Sequence, residues 1–225
     1  VGILHSLALY DSLRQTPSAA PPKERLTFLQ LGGDWQEFKY IKERHIQKYS
    51  REEDFNLGFG VFPSVSWSPK LRMLSTTESQ ILPKISLRKG LRLPLGPLVL
   101  LRADYSSTYV NGGNGHRIAT IDFQFFSHVM PKQTLAIHAA YDHGWRLDPA
   151  SPLTLGEAGG LRGYGLTQFS GNRRVLFNVE DRIFIRDEVW SLVDIGAVLF
   201  FDSGYVWGPH VRADVADLKS SVGAG

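Results

Sequence analysis

The stretch from Leu155 to Gly171, LGEAGGLRGYGLTQFSG, holds the residues best suited to a specific chemical role. Glycine at this density permits positive φ angles and close backbone approaches, which predicts a loop that folds back on itself. Its glycines include Gly159, Gly160, Gly163 and Gly165. The loop carries one arginine, Arg162, and an arginine in such a setting usually has a carboxylate partner nearby.

Two carboxylates further along the chain are candidate partners for Arg162. Glu180 and Asp202 each fall on the polar side of an alternating segment, so both face one interior if those segments pair as neighbouring strands. Two like charges in a confined space are costly, and a guanidinium that reaches both offsets the cost through charge-assisted hydrogen bonds. Arginine suits this role better than lysine because its planar fork serves two carboxylates at once. We therefore predict that Arg162 docks on Glu180 and Asp202.

Two simpler interpretations stay open from the sequence. Arg162 could be an ordinary solvated loop arginine. Glu180 and Asp202 could instead pair with Arg182 or with other basic residues of the interior.

Other kinds of site find little support in the sequence. The chain has no cysteines, which excludes disulfides, thiolate metal sites and cysteine nucleophiles. His138 and His143 are an odd number of residues apart and so point to opposite faces of a strand, and the seven histidines show no metal-ligand spacing. There is no Gly-x-Ser-x-Gly elbow, P-loop or His-Glu-x-x-His motif. We expect no catalytic site, no metal and no cofactor in this chain.

The segments that must position these residues alternate between apolar and polar side chains. The first clear set of alternate apolar residues is Phe55, Leu57, Phe59, Val61, Val65 and Trp67. The same period of two recurs in residues 80–93, 99–106, 119–129, 134–145, 174–186 and 193–202. This period is typical of strands with one apolar face, and residues 111–115 and 130–132 predict turns between them. The prediction is an all-β fold.

Two all-β architectures fit this pattern. In a soluble sandwich the apolar face is the core, whereas in a transmembrane β-barrel it meets lipid and the polar face lines the interior. Sandwich strands average about five or six residues, and membrane strands need about 9–11. Most of the alternating segments are of the longer kind, and their polar sides carry both signs of charge. The pattern favours an antiparallel transmembrane barrel, with a soluble β-sandwich binding module as the alternative.

The N-terminal third gives weaker signals. Ile3 to Tyr10 and Leu26 to Gly33 predict short strands, and Gln15 to Lys23 predicts a Pro/Ala/Ser linker. Trp35 to Tyr49 fits either a strand or a short surface helix, and we favour the strand.

The totals exclude several classes of protein. With 225 residues the chain can form one large β domain or two small ones, and a net charge of +3 is too small to indicate nucleic-acid binding. No apolar run approaches the roughly 20 residues of a spanning helix, and no signal peptide is visible. Because both ends interrupt alternating segments, we expect the chain to be part of a longer polypeptide.

Three motifs in the C-terminal third resemble the BamA/TamA/FhaC superfamily of outer-membrane β-barrel translocases, of the bacterial surface antigen type. Gly160 to Tyr164, GLRGY, is similar to the Arg-Gly-Phe/Tyr signature of that superfamily's long sixth extracellular loop. Phe177 to Arg182 resembles the next strand with its inward glutamate, and Phe200 to Gly208 the strand after it with its inward aspartate. Ser221 to Gly225 is similar to the opening of the following strand. The resemblance covers residues 153–225.

The resemblance implies a fold, a location and a function. The superfamily barrel is sixteen-stranded, and residues 1–225 would form a partial barrel of about ten or eleven strands without a POTRA domain. Residues 153–171 would be a loop inserted into the lumen and anchored by Arg162, Gly163 and Tyr164. The implied function is insertion or translocation of β-rich polypeptides at the bacterial outer membrane. The implied partners are outer-membrane lipid, a client polypeptide and periplasmic accessory proteins. As an alternative, the barrel would anchor a fused passenger or enzyme domain, as in patatin-type autotransporters.

Overall fold

A computed structural model describes residues 2–6, 27–48, 51–70, 78–189, 193–209, 211 and 214–225, with only the backbone described at 2–6, 187, 188 and 215. In these ranges the chain is almost entirely strand, with two single turns of 3-10 helix at Glu157–Gly159 and Val215–Asp217. No helix of the described residues is long and apolar enough to cross a membrane. The all-β prediction is confirmed.

The described strands, in chain order, are β1 Gly2–Ser6, β2 Phe28–Gly32, β3 Trp35–Gln36, β4 Tyr40–Glu43, β5 Glu53–Asn56, β6 Phe59–Ser68, β7 Gln80–Arg92, β8 Leu98–Val110, β9 Gly113–Met130, β10 Gln133–Trp145, β11 Leu153–Leu155, β12 Phe169–Gly171, β13 Arg173–Val189, β14 Val193–Trp207 and β15 Lys219–Ala224.

Eleven of these strands form one antiparallel sheet in the order β1-β2-β6-β7-β8-β9-β10-β13-β14-β15, with β3 beside β6. Along this order every strand pairs with the one that follows it in the chain among these members, so the sheet is an up-and-down meander with longer connections between β2 and β6 and between β10 and β13. β1 and β15 are its two edges, and the sheet does not close into a barrel within the described residues. Two small hairpins, β4–β5 and β11–β12, stand outside it. The prediction of one large antiparallel sheet is therefore confirmed.

The outer face of the sheet carries the alternate apolar residues, and they are exposed. Ile121 and Ile185 are each 58% exposed and Leu199 is 54% exposed. The same face exposes Phe59, Val65, Trp67, Ile81, Ile85, Leu101, Tyr105, Tyr141, Phe177, Ile195, Phe201 and Val222. A sandwich core would cover such side chains, because apolar surface is buried wherever a second layer can reach it.

The inner face of the sheet carries the polar positions and two buried clusters. The first cluster joins Ile46 and Phe55 to Leu98, Phe126 and Ala136 of the sheet. The second joins Leu155 and Leu161 to Ala140, Leu176 and Val206. In each cluster the first two residues belong to a segment that lies across the inner face. Each of these two clusters thus forms where a connection of the chain folds back onto the sheet.

The structure differs from the sequence prediction between residues 35 and 68. Trp35 to Tyr49 does not form one strand, since β3 and β4 are two and four residues long and bends follow at 44–48. Phe55 to Trp67 is also interrupted, at Leu57–Gly58. A Cβ on Gly58 would lie 2.0 Å from the main-chain oxygen of Glu37, so the two arms of this connection are in close contact there. Phe55 consequently faces the inner cluster, whereas Phe59 lies on the outer face.

The two N-terminal strand predictions correspond to β1 and β2, although residues 7–10 lie outside the described residues. The linker predicted at Gln15 to Lys23 also lies outside them. The turns predicted at 111–115 and 130–132 are present at 111–112 and 131–132.

Candidate functional site

The loop between β10 and β13 returns to the inner face of the sheet as a short hairpin. β11 pairs with β12 over three residues, from Leu153 opposite Gly171 to Leu155 opposite Phe169. Leu155 and Leu161 are fully buried against the sheet. Burying two leucines offsets part of the entropy of ordering the loop, at roughly 1.5–3 kcal/mol for each side chain.

Two glycines of this loop have left-handed backbone conformations that other residues adopt at a cost. Gly160 has a φ of 94°, and a Cβ there would lie 2.8 Å from Cδ2 of Leu176. Gly163 has a φ of 82° and follows Arg162 directly. They turn the chain on both sides of the arginine, which brings its side chain down onto the sheet.

The other two predicted loop glycines serve the return of the chain. Gly159 passes close to the backbone, since a Cβ on it would lie 3.0 Å from the oxygen of Thr154. The nitrogen of Gly165 donates to Oε1 of Gln168 at 2.9 Å, and its oxygen accepts from the nitrogen of Glu157 at 3.3 Å.

Arg162 contacts both of the carboxylates that the sequence suggested. Its Nε donates to Oδ2 of Asp202 at 2.8 Å and its Nη2 to Oδ1 at 2.7 Å, which is a two-bond fork. The main-chain nitrogen of Arg162 also donates to Oδ2, at 3.2 Å. On its other side, Nη1 lies 2.8 Å from Oε1 of Glu180. The structure thus brings these three side chains together.

The guanidinium of Arg162 is also packed against an aromatic ring. Its central carbon lies 3.7 Å from the centre of the Phe200 ring, within the range of a cation–π contact. The pKa of Arg162 is raised above its ordinary value, mainly by the hydrogen bonds to Asp202. The charge attraction of Asp202 and Glu180 raises it further. These contacts therefore favour the positively charged form of Arg162.

Asp202 is fully buried, and all of its visible partners belong to this site. Nδ2 of Asn178 donates to Oδ1 of Asp202 at 2.7 Å and to the oxygen of Gly160 at 2.8 Å. Asn178 and Asp202 are direct cross-strand partners in β13 and β14. A buried carboxylate with one cation and two amide-type donors is well satisfied, and losing the cation would leave an uncompensated charge.

Glu180 is shared between two arginines. While Oε1 meets Arg162, Oε2 accepts from Nε of Arg182 at 2.7 Å and lies 2.6 Å from its Nη2. Glu180 therefore makes both the predicted pair with Arg162 and the alternative pair with Arg182 that the sequence left open. One carboxylate holds two like-charged groups together, so Glu180 is the centre of the network rather than one end of it.

Tyr164 ties the tip of the loop to the edge of the sheet. Its hydroxyl donates to the main-chain oxygen of Ser220 in β15 at 3.0 Å. Its ring lies 5.6 Å from that of Phe169, on the return arm of the loop. The site therefore touches β13, β14 and β15.

The base of the loop has its own anchor, which the sequence reasoning missed. Nε of Arg174 donates to Oδ2 of Asp142 at 2.8 Å, and its Nη1 donates to the oxygen of Thr154 at 2.9 Å. Oγ1 of Thr120 donates to Oδ1 of Asp142 at 2.6 Å. Asn178 was missed as well. The side chains of this anchor and of Asn178 all occupy polar positions of their strands. That alternation was the only sign in the sequence that they face the interior.

This arrangement is built to hold a loop in place. The charged atoms near Arg162 are paired with one another, and within the described ranges no group of three or more histidine and acidic side chains could bind a metal ion. In chemical terms, the site is an ion-pair latch between a loop and a sheet.

No protein-family model matches the chain, and no curated protein matches it.

Proposed function

We propose that this chain is part of the outer-membrane β-barrel of a BamA/TamA-like protein that takes part in inserting or translocating β-rich polypeptides. The observation that carries the proposal is the docking of Arg162 on Glu180 and Asp202. These are the three positions at which the sequence resembles the superfamily's loop and its next two strands. A spurious resemblance would have no reason to bring them within hydrogen-bonding distance.

The exposed outer face supports a membrane location. β9, β13 and β14 are 18, 17 and 15 residues long, beyond the roughly 9–11 residues that span a bilayer. The apolar side chains along them are exposed to the surroundings, as lipid-facing residues are. In this proposal the sheet is the larger part of a barrel, its inner face lines the lumen, and the loop fills part of that lumen.

Aromatic residues gather at one end of the outer face, which fits a membrane boundary. Tyr205 and Trp207 stack at 5.5 Å, and the ring of Tyr141 lies 6.4 Å from that of Trp207. The ring of Trp145 stacks on His143 at 4.0 Å. Tyr and Trp concentrate at the level of lipid headgroups, where one edge of the ring is apolar and the other is wet.

The proposal is tested by client assembly in lipid vesicles. The full-length protein is reconstituted, and the appearance of a heat-modifiable, protease-protected barrel client is followed, with empty vesicles giving the spontaneous rate. We expect faster assembly with the wild type and loss of most of that gain with Arg162→Met. Arg44→Met, which removes only an exposed ion pair to Glu52, is the matched control and should keep it.

Two outcomes contradict the proposal at different levels. If the protein is recovered without detergent in the soluble fraction, the membrane location is wrong. If it folds in the vesicles but clients assemble at the spontaneous rate, the assembly role is wrong, and the barrel is an anchor for another domain.

A further inference from the structure

A second segment lies across the inner face, and it enters from the end opposite to the Arg162 loop. The turns at 111–112 and the loop at 146–172 mark one end of the sheet, which we call the loop end. The turns at 93–97 and 131–132 mark the other, which we call the turn end. Residues 37–48 and 51–58, called the crossing segment, leave the sheet at the turn end, where Gln36 pairs with Gly60 and Phe59 with Lys89.

Apolar contacts fix the crossing segment on the sheet. Ile46 and Phe55 are buried against Leu98, Phe126 and Ala136, which lie on three consecutive strands. A Cβ on Gly90 would lie 2.5 Å from the oxygen of Asn56, so glycine is needed for the segment to pass over β7. The segment thus covers the inner face from β7 to β10.

Polar contacts carry the crossing segment on to β13. Oγ1 of Thr134 donates to the oxygen of His45 at 2.6 Å, and Nη1 of Arg182 donates to the oxygen of Ile46 at 2.6 Å. Glu43 pairs with Arg92 and lies 3.6 Å from Nε2 of His128. Within the segment, the carboxylate of Glu53 accepts from the nitrogens of Gln47 and Lys48, which holds its bends together.

Arg182 connects this segment to the latch. Its Nη1 holds the oxygen of Ile46, while its Nε and Nη2 hold the carboxylate of Glu180, whose other oxygen holds Arg162. The path from loop to crossing segment therefore consists of three consecutive charged side chains. A cavity of about 510 Å³ lies between the two segments, lined by Gln47, Gln124, His138, Gly160, Asn178 and Arg182 among others.

We infer that the crossing segment is a second plug of the lumen and that Glu180, through Arg182, couples its position to that of the Arg162 loop. Glu180 is the positioning residue, because its two oxygens hold the two arginines that fix the two segments. When the loop leaves its place, Glu180 loses its bond to Arg162 and can move. Arg182, which Glu180 holds in position, is then no longer fixed beside the oxygen of Ile46. The plugging role rests on the proposed barrel, whereas the coupling rests on the contacts alone.

The coupling is tested with a nitroxide spin label on Gln47→Cys in the full-length protein; residues 1–225 contain no cysteine, and any cysteine elsewhere is first replaced by serine. We expect a slowly moving label in the parent and a clearly faster one in Glu180→Gln and in Arg162→Met, which releases the loop without touching the crossing segment. Asp181→Asn is the matched control. It changes the neighbouring carboxylate, which accepts from Gln133 in β10 and does not contact the latch, and it should leave the label slow. Equal mobility in all four proteins overturns the coupling.

The plugging role is tested by single-channel conductance in potassium chloride. Because the nitrogen of Glu37 donates to the oxygen of Phe59 at 2.8 Å, replacing residues 38–58 with Asn-Gly closes that pair with a two-residue hairpin turn. We expect the shortened, folded protein to conduct several-fold more than the wild type. Unchanged conductance in protein that has inserted overturns the plug. If neither protein inserts, the proposed membrane function fails, while the spin-label result still decides the coupling.

Discussion

At the scale of single residues, the most consequential feature is a buried carboxylate whose charge depends on one arginine. Asp202 is fully buried and takes three hydrogen bonds from Arg162, two from the side chain and one from the main chain. Lysine could not reproduce the fork, because an ammonium group is a point charge that cannot face both carboxylates in one plane. The identity of the residue at 162 thus matters more than its charge.

Arg162→Met should destabilise the folded protein by about 3–5 kcal/mol, because it leaves Asp202 buried without a cation. The midpoint of a urea titration, followed by heat-modifiable migration in detergent, measures this. The double variant with Asp202→Asn should recover part of the loss, since the stranded charge is then gone. Equal midpoints for Arg162→Met and the exposed-site variant Arg44→Met would show that the latch contributes no stability.

At the scale of elements, two connections, rather than a second sheet, cover the inner face. The Arg162 loop and the crossing segment each bury two apolar residues there and satisfy their polar groups on the strand walls. Loops with buried side chains are ordered only if the backbone can follow the wall closely. Gly160 permits this beside Leu176, as Gly90 does below Asn56.

Gly160→Ala should release the loop, because alanine is disfavoured at a φ of 94° and its Cβ would collide with Leu176. Trypsin should then cut after Arg162 much faster than in the wild type. Gly165→Ala is the matched control, since a Cβ there meets only Gln168 at an ordinary 3.7 Å. Similar cleavage rates for the two variants would mean that the glycine conformation does not hold the loop.

At the scale of the whole molecule, most of the large exposed apolar side chains of the sheet lie on the face opposite to the buried Asp202. Charged residues such as Asp202 and Glu180 face the side that the loops cover, together with the two apolar clusters, whereas exposed apolar residues such as Ile121 face outward. The exposed side chains belong to strands on both halves of the sheet, including β6, β9 and β14. This exposed apolar surface is the feature on which the proposed membrane location depends.

Ile121→Lys should reduce insertion into vesicles by the equivalent of about 2–4 kcal/mol, the cost of a lysine near the bilayer midplane. Ile121 lies midway along β9 and is 58% exposed. Gln124→Lys is the control on the same strand, because its side chain faces inward and contacts Asp122. The folded, protease-protected fraction measures both, and equal yields would argue against lipid on the outer face.

The sequence predicted those features that depend on local periodicity. Period-two patterns placed most of the long strands, and they put Glu180 and Asp202 on one face. The crossing segment was not predictable in this way, since its order comes from distant contacts such as Arg182 to Ile46, which are 136 residues apart. Arg174 and Asn178 were missed because the sequence shows only that their side chains are on the inner face of the sheet. It does not show which backbone oxygen each side chain will contact.

The hydrogen bond from Tyr164 to Ser220 makes one step in the folding of the loop depend on a distant strand. The two residues are 56 positions apart, and the acceptor belongs to the last described strand. The loop can therefore complete its fastening only after that strand has arrived. Until then the arginine-bearing tip of the loop lacks its contact with β15 and relies on its contacts with β13 and β14.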